Sequence, residues 1–208
     1  MTPVDTLIHA RWLIPVDTET VLDNYSLAIR GGEIAAIVPQ QQARAGLKAN
    51  ETLELPDHAL IPGFVNAHTH AAMSLFRGLA DDLPLMDWLQ KHIWPAEAQW
   101  VGPEFMRDGV ALSIAEMIRG GTTCFNDMYF FPNETARAAK EAGMRACIGL
   151  VIIDFPTAWA QNADEYIDKG LALHDKLRRH GLAPRVVSSE PSPAIFEPVR
   201  QPAQLGTG

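Results

Sequence analysis

Pro62-Gly63-Phe64-Val65-Asn66-Ala67-His68-Thr69-His70 joins a short, mostly apolar run to two histidines set one residue apart. Taken from Ala59 to Asn66, the run reads as a strand buried on both faces. Side chains alternate along an extended chain, so His68 and His70 project to one face and Thr69 points away. Two neutral imidazoles on one face can bind a divalent metal, and imidazole suits zinc or iron. A bare His-x-His is weak evidence. At the end of a buried strand that opens a strand–helix series, the same pair becomes a candidate metal site.

Downstream, the chain supplies that series. Ser74 to about Pro95 reads as a long irregular stretch, with Trp88, Trp94 and Trp100 in or near it. Pro103-Glu104 then starts a helix, Met106, Val110, Ile114 and Met117 recur at helical spacing, and Gly120-Gly121 stops it. Thr122 to Phe131 is β-branched and aromatic, a strand; Asn133 to Ala142 is a helix closed by Gly143. Met144 to Asp154 is another strand, and an amphipathic helix runs from about Ala163 to His180. Alternation of this kind is the grammar of parallel βα units. A closed eight-unit barrel takes ~250 residues, and the three units counted here make less than half of one.

Upstream, residues 1–58 read as short β segments. Leu27-Ala28-Ile29-Arg30, Gly31-Gly32 and Glu33-Ile34-Ala35-Ala36-Ile37 form a hairpin pattern whose glycines can take the positive φ of a primed turn. Thr6 to Ile14 is a further strand, and Gln40 to Ala45 one helical turn. The 208 residues carry 17 basic and 25 acidic side chains, a formal charge of −8 with no Lys/Arg run, which argues against a nucleic acid polymer as partner. Cys124 and Cys147 lie in apolar runs and read as buried thiols. No stretch reaches the ~20 apolar residues of a membrane span and no signal-peptide pattern opens the chain, so the expectation is a soluble, cytoplasmic protein with no membrane partner.

The Pro62–His70 segment resembles the first-strand motif of the amidohydrolase superfamily. The stretch His70-Ala71-Ala72-Met73-Ser74-Leu75-Phe76-Arg77-Gly78-Leu79-Ala80-Asp81-Asp82, on through Leu89, is similar to the 5′-methylthioadenosine/S-adenosylhomocysteine deaminases, which group with the triazine hydrolases and chlorohydrolases. Ile93-Trp94-Pro95-Ala96-Glu97 and Gly120-Gly121-Thr122-Thr123-Cys124-Phe125-Asn126-Asp127-Met128 continue the similarity, which covers residues 1 to about 185. It implies an α/β fold: a partial (β/α)8 TIM-like barrel over 59–185, preceded by a small β-sandwich-like domain over 1–58. In that family one zinc per subunit (iron is the alternative) is held by the two strand-one histidines, a middle-strand histidine and a last-strand aspartate. Metal-activated water attacks the amino-bearing carbon of an adenine ring and ammonia leaves.

By this resemblance His68 and His70 are metal ligands. Glu97 matches the glutamate that accepts hydrogen bonds from the ribose hydroxyls; a solvated glutamate at a helix start is the plainer reading of that residue alone. The expected partner is a small nucleoside or heterocyclic substrate, with homo-oligomers common among relatives. Other hydrolases of the subgroup, acting on triazines or guanine-like bases, and a non-enzymatic fragment are the competing readings. His92 reads as a surface residue or one standing behind the metal ligands, His174 and His180 as solvated, and His9 and His58 as part of the β domain or its exit. Asp127 is structural or stands behind the metal ligands, and Arg145 marks a strand entry.

No histidine follows His180 and no aspartate follows Asp175. The family's later ligands and its catalytic glutamate therefore have no counterpart, no catalytic residue is assigned, and the 208-residue chain is expected to be inactive by itself. Pro184, Pro191, Pro193, Pro198 and Pro202 break any period in the tail. Residues 186–208 are expected to be disordered, or unrelated to the rest as a frameshift would make them.

Overall fold

The computed structural model describes residues 1–179 and 183–188. Of the tail expected to be disordered or unrelated over 186–208, residues 186–188 instead belong to a strand paired into the sheet; the rest of it, and the expectation for His180, lie outside the described residues. The chain divides into two compact units, Met1–Gly63 and Phe64–Gly208.

In the first unit, β1 (Thr2–Leu13), β2 (Leu22–Arg30), β3 (Glu33–Pro39) and β4 (Leu47–Leu60) form one sheet in the order β3-β2-β1-β4. One sheet thus forms where a sandwich-like arrangement was expected. The β2–β3 hairpin turns as expected on Gly31 and Gly32, with φ of 62° and 80°, and the Gly31 amide donates to Asp5 Oδ2 at 2.6 Å. Helix α1 (Gln40–Gly46) supplies Ala43 to a small core with Val4, Leu7 and Ala28. The expected strand over Ala59–Asn66 is divided: Ala59 and Leu60 end β4, and the next strand starts at Phe64. β4 escapes local reading because it is polar and mostly exposed, and it is held by parallel pairing to β1, a contact across some 45 residues.

In the second unit, β5 (Phe64–Thr69), β6 (Thr122–Met128), β7 (Arg145–Ile152) and β8 (Ala183–Ser188) are parallel, in the order β5-β6-β7-β8. The sequence shows only the start of β8; pairing with β7 completes it. Residues expected to be irregular are largely helical: a 3-10 helix Ala71–Phe76, α2 (Leu85–Trp88), a π-turn Leu89–Ile93 and α3 (Trp94–Trp100). Pro95 would end an ordinary helix, since it lacks an N–H and its ring clashes with the carbonyl four residues back. Here the chain widens just before it, and Trp94 N–H bonds the Leu89 carbonyl, five residues back.

Helix α4 (Pro103–Arg119) buries Met106, Val110, Ile114 and Met117, as their spacing predicts. Helices α5 (Pro132–Glu141) and α6 (Ala163–Arg179) follow β6 and β7. Along β6, Phe125 and Asp127 face inward: Phe125 joins the α4 residues in the main core, and Asp127 meets Thr135 of α5. β5 is not buried on both faces: Phe64 and Val65 are 56% and 66% exposed. It is the edge of the sheet, paired to β6 alone among the described residues, so one flank of an apolar strand stays open.

Candidate functional site

Parallel pairing brings the carboxyl ends of β5 and β6 side by side, with Thr69 opposite Asp127. His68 lies next to last in β5 and His70 just past its end. Their rings stand edge to face, with centroids 5.1 Å apart, so the two imidazoles do share a side of the chain. His70 Nδ1 lies 2.5 Å from the Met128 carbonyl. A carbonyl only accepts, so Nδ1 carries the proton and Nε2 keeps a free lone pair. That tautomer is the one a metal-binding imidazole needs, with its second nitrogen held by a backbone acceptor. The donor set therefore fits a divalent cation as far as it goes. No third His, Cys, Asp or Glu joins the pair among the described residues.

Asp127, 1% exposed, receives the Ala71 amide on Oδ1 at 2.7 Å and the Thr135 hydroxyl on Oδ2 at 3.0 Å. Burial pushes its carboxyl above the ordinary aspartate range, against the pull of those two donors and of His70. Tyr129 follows, buried, with its ring 6.0 Å from that of His70 and its hydroxyl donating to Glu97 Oε1 at 2.5 Å. Glu97 projects from the first turn of α3. Half-burial raises its carboxyl above the usual range, while the Tyr129 hydroxyl and His70 pull it down. Tyr129 in turn is pushed far up by burial and by the negative Glu97 beside it. Two residues on, Phe131 sits at φ 46°, ψ 53°, in the left-handed region that bulky residues avoid, and launches α5.

His68, His70, Tyr129 and Glu97 thus form one chain of contacts, and the three residues singled out in the sequence come together. Tyr129 and Thr135 were not singled out, and only the contacts reveal them. The β6 alternation that buries Phe125 also buries Asp127, a signal legible in the sequence once the strand's inner face is known. Asn126 donates to the Ala67 carbonyl at 3.0 Å, while its own Oδ1 is buried without a partner among the described residues. His92 is exposed, in keeping with its surface reading; in the β domain His58 is exposed too, whereas His9 is buried and bonds Ser26 Oγ at 2.6 Å. Arg145 reaches Thr123 at the amino ends of β7 and β6, as its strand-entry reading implies. Cys124 and Cys147 are half-buried rather than buried. A cleft of about 330 Å³ at that amino-end face is lined by Thr123, Met144 and Arg145; barrel enzymes work at the opposite end of their strands.

A parallel βα sheet with polar residues gathered at its strands' carboxyl ends is the arrangement in which barrel enzymes build their active sites. The chain belongs to the amidohydrolase family, whose sequence signature matches residues 59–197. It is 49% identical to a 5-methylthioadenosine/S-adenosylhomocysteine deaminase of Saccharophagus degradans, over 98% of this chain and 48% of the relative. The structure resembles that of an adenosine deaminase from Xanthomonas campestris with bound zinc: TM-score 0.85, 49% identity, 90% of this chain and 43% of the other. An atrazine chlorohydrolase from Arthrobacter aurescens, complexed with zinc, shares the fold at TM-score 0.74 and 20% identity, over 88% of this chain and 46% of the other. The chain spans about half the length of the curated relatives it matches. Among the described residues no helix is long and apolar enough to cross a membrane.

Proposed function

We propose that this chain carries the metal-binding and ribose-binding end of an aminohydrolase acting on 5′-methylthioadenosine- and S-adenosylhomocysteine-type nucleosides. The observation that carries the reading is the join between the histidine pair and Glu97 through Tyr129, in a chain with 49% identity to such deaminases. The much lower identity to the chlorohydrolase supports a nucleoside over a triazine.

His68 and His70 would hold the metal, zinc by analogy with the crystallised relatives, and the proton on His70 Nδ1 stays with the Met128 carbonyl. A divalent cation bound there lowers the pKa of water toward neutrality, which a hydrolytic deamination requires. Glu97 offers the diol its Oε2, since Oε1 already accepts the hydrogen bond of the Tyr129 hydroxyl. A carboxylate suits that task because it only accepts, and charge-assisted hydrogen bonds are the stronger kind. Its half-burial keeps water from competing with the diol. The third and fourth ligands of the family have no counterpart in these 208 residues, so the chain alone should bind without turning over.

Calorimetry on the zinc-loaded chain tests the reading. 5′-Methylthioadenosine should bind more tightly than its 2′,3′-dideoxy counterpart, with no zinc-dependent ammonia release. Equal binding of the two would remove Glu97 from the diol, and ammonia release would refute the inactivity.

A further inference from the structure

Asp127 is an expensive residue. Its carboxylate is 1% exposed and accepts two hydrogen bonds from neutral donors, the Ala71 amide and the Thr135 hydroxyl. No ion pair to it is present among the described residues. Burying a carboxylate without a cation costs several kcal/mol in principle, and two neutral donors offset only part of that. An apolar side chain in its place would face the same side of the strand as Phe125, which joins the main core two residues earlier. What the side chain supplies in return is position: it holds two donors from two different elements at fixed places.

That geometry converges on His70. Ala71 is the residue after His70 and opens the 3-10 helix Ala71–Phe76, whose first amides have no acceptor within the helix. Asp127 Oδ1 reaches across from β6 to take one of them. The next residue, Met128, presents its carbonyl to the His70 ring. Two consecutive residues of β6 therefore hold His70 by its backbone and by its imidazole. Thr135, one turn into α5 and fully buried, fixes the other oxygen, so the carboxylate cannot rotate away from Ala71.

We propose that Asp127, oriented by Thr135, is a positioning residue that sets the ring orientation and tautomer of His70, and through them the affinity of the histidine pair for a divalent metal. The affinity part rests on the reading of His68 and His70 as metal ligands; the ring orientation does not.

Asp127→Asn keeps an oxygen for the Ala71 amide and can turn its NH₂ to the Thr135 hydroxyl. Asp127→Ala removes both, and Thr135→Val keeps the charge but frees the carboxylate. The measurements are long-range ¹H–¹⁵N spectra of the histidine rings in the full chain without metal, then titration with zinc alone. In the parent, His70 should show a protonated Nδ1. Asp127→Ala should move the His70 ring signals toward a mixture of tautomers, leave those of His174 on α6 in place, and weaken zinc by roughly tenfold or more. Asp127→Asn should stay within about twofold of the parent, on the same reasoning about supporting hydrogen bonds. Thr135→Val should fall between the two, and it carries the test if Asp127→Ala does not fold.

Unchanged His70 signals in Asp127→Ala, or in Thr135→Val when it stands in, would overturn the proposal. So would an Asn variant as impaired as Ala, because charge rather than position would then be what matters. If the parent binds no zinc, the metal reading fails by itself and the ring signals alone decide the role of Asp127.

Discussion

Replacing Gly109 by alanine sets two effects of opposite sign against each other. Gly109 is buried in the middle of α4, and in an ordinary helix interior the change stabilises by about 1 kcal/mol. Here a Cβ would meet backbone: the Ala72 carbonyl oxygen at 2.6 Å and the Ala72 Cα at 2.8 Å. The shortest comfortable C···O separation is about 3.3 Å, so α4 or the 3-10 helix must retreat by about 0.7 Å. The Ser74 hydroxyl, which donates to the Gly109 carbonyl at 3.0 Å, loses its place in the same movement. Overpacking against immobile groups costs about 1–3 kcal/mol, and here the upper end applies because backbone rather than a flexible side-chain tip must yield. Less the helix gain, Gly109→Ala should destabilise by about 1–2 kcal/mol, or roughly 2–8 °C in Tm at this size. Urea unfolding followed by far-ultraviolet dichroism measures it. A variant as stable as the parent, or more so, would refute the close packing of α4 on the segment that follows His70.

Three further outcomes follow from the same contacts. Glu97→Gln should weaken 5′-methylthioadenosine binding by roughly tenfold, the scale of a lost charge-assisted hydrogen bond, and leave free adenine unchanged; equal losses for both would show that Glu97 does not meet the sugar. Tyr129→Phe removes the donor that lowers the Glu97 carboxyl, so the Glu97 pKa followed by carbon-detected NMR should rise further above the ordinary glutamate value, and a fall would contradict the hydrogen bond. His9 is held below its usual pKa, chiefly by burial and then by Arg44, with Glu54 opposing. The unfolded chain therefore binds more protons than the folded one as pH drops through about 6.5. Stability that His9 contributes above that pH should be lost below it, and His9→Gln should flatten the acid limb of Tm against pH.

Much of the architecture is legible in the chain because its signals are local. Met106, Val110, Ile114 and Met117 lie on one helical stripe, Gly31 and Gly32 close a hairpin, and His68 and His70 stand two apart at a strand's carboxyl end. What stayed hidden is non-local. β4 depends on β1, and β8 on β7. The exposure of Phe64 and Val65 follows from the edge position of β5, which no apolar count reveals. The turn before Pro95 defeats the ordinary rule for proline by widening rather than breaking the helix. In the candidate site the histidine spacing was readable. A supporting place for Asp127 was readable too, but its partners and the role of Tyr129 were not, since Asp127 meets Ala71 and Tyr129 meets Glu97 across 56 and 32 residues.

The central claim is that His68 and His70 bind one divalent metal together, and X-ray absorption at the zinc edge of the zinc-loaded chain tests it most directly. The spectrum should show two imidazole nitrogens at about 2.0–2.1 Å, falling to one in His70→Asn and to none when His68→Asn is added. Zinc surrounded by oxygen alone, or a spectrum the double variant leaves unchanged, would contradict it.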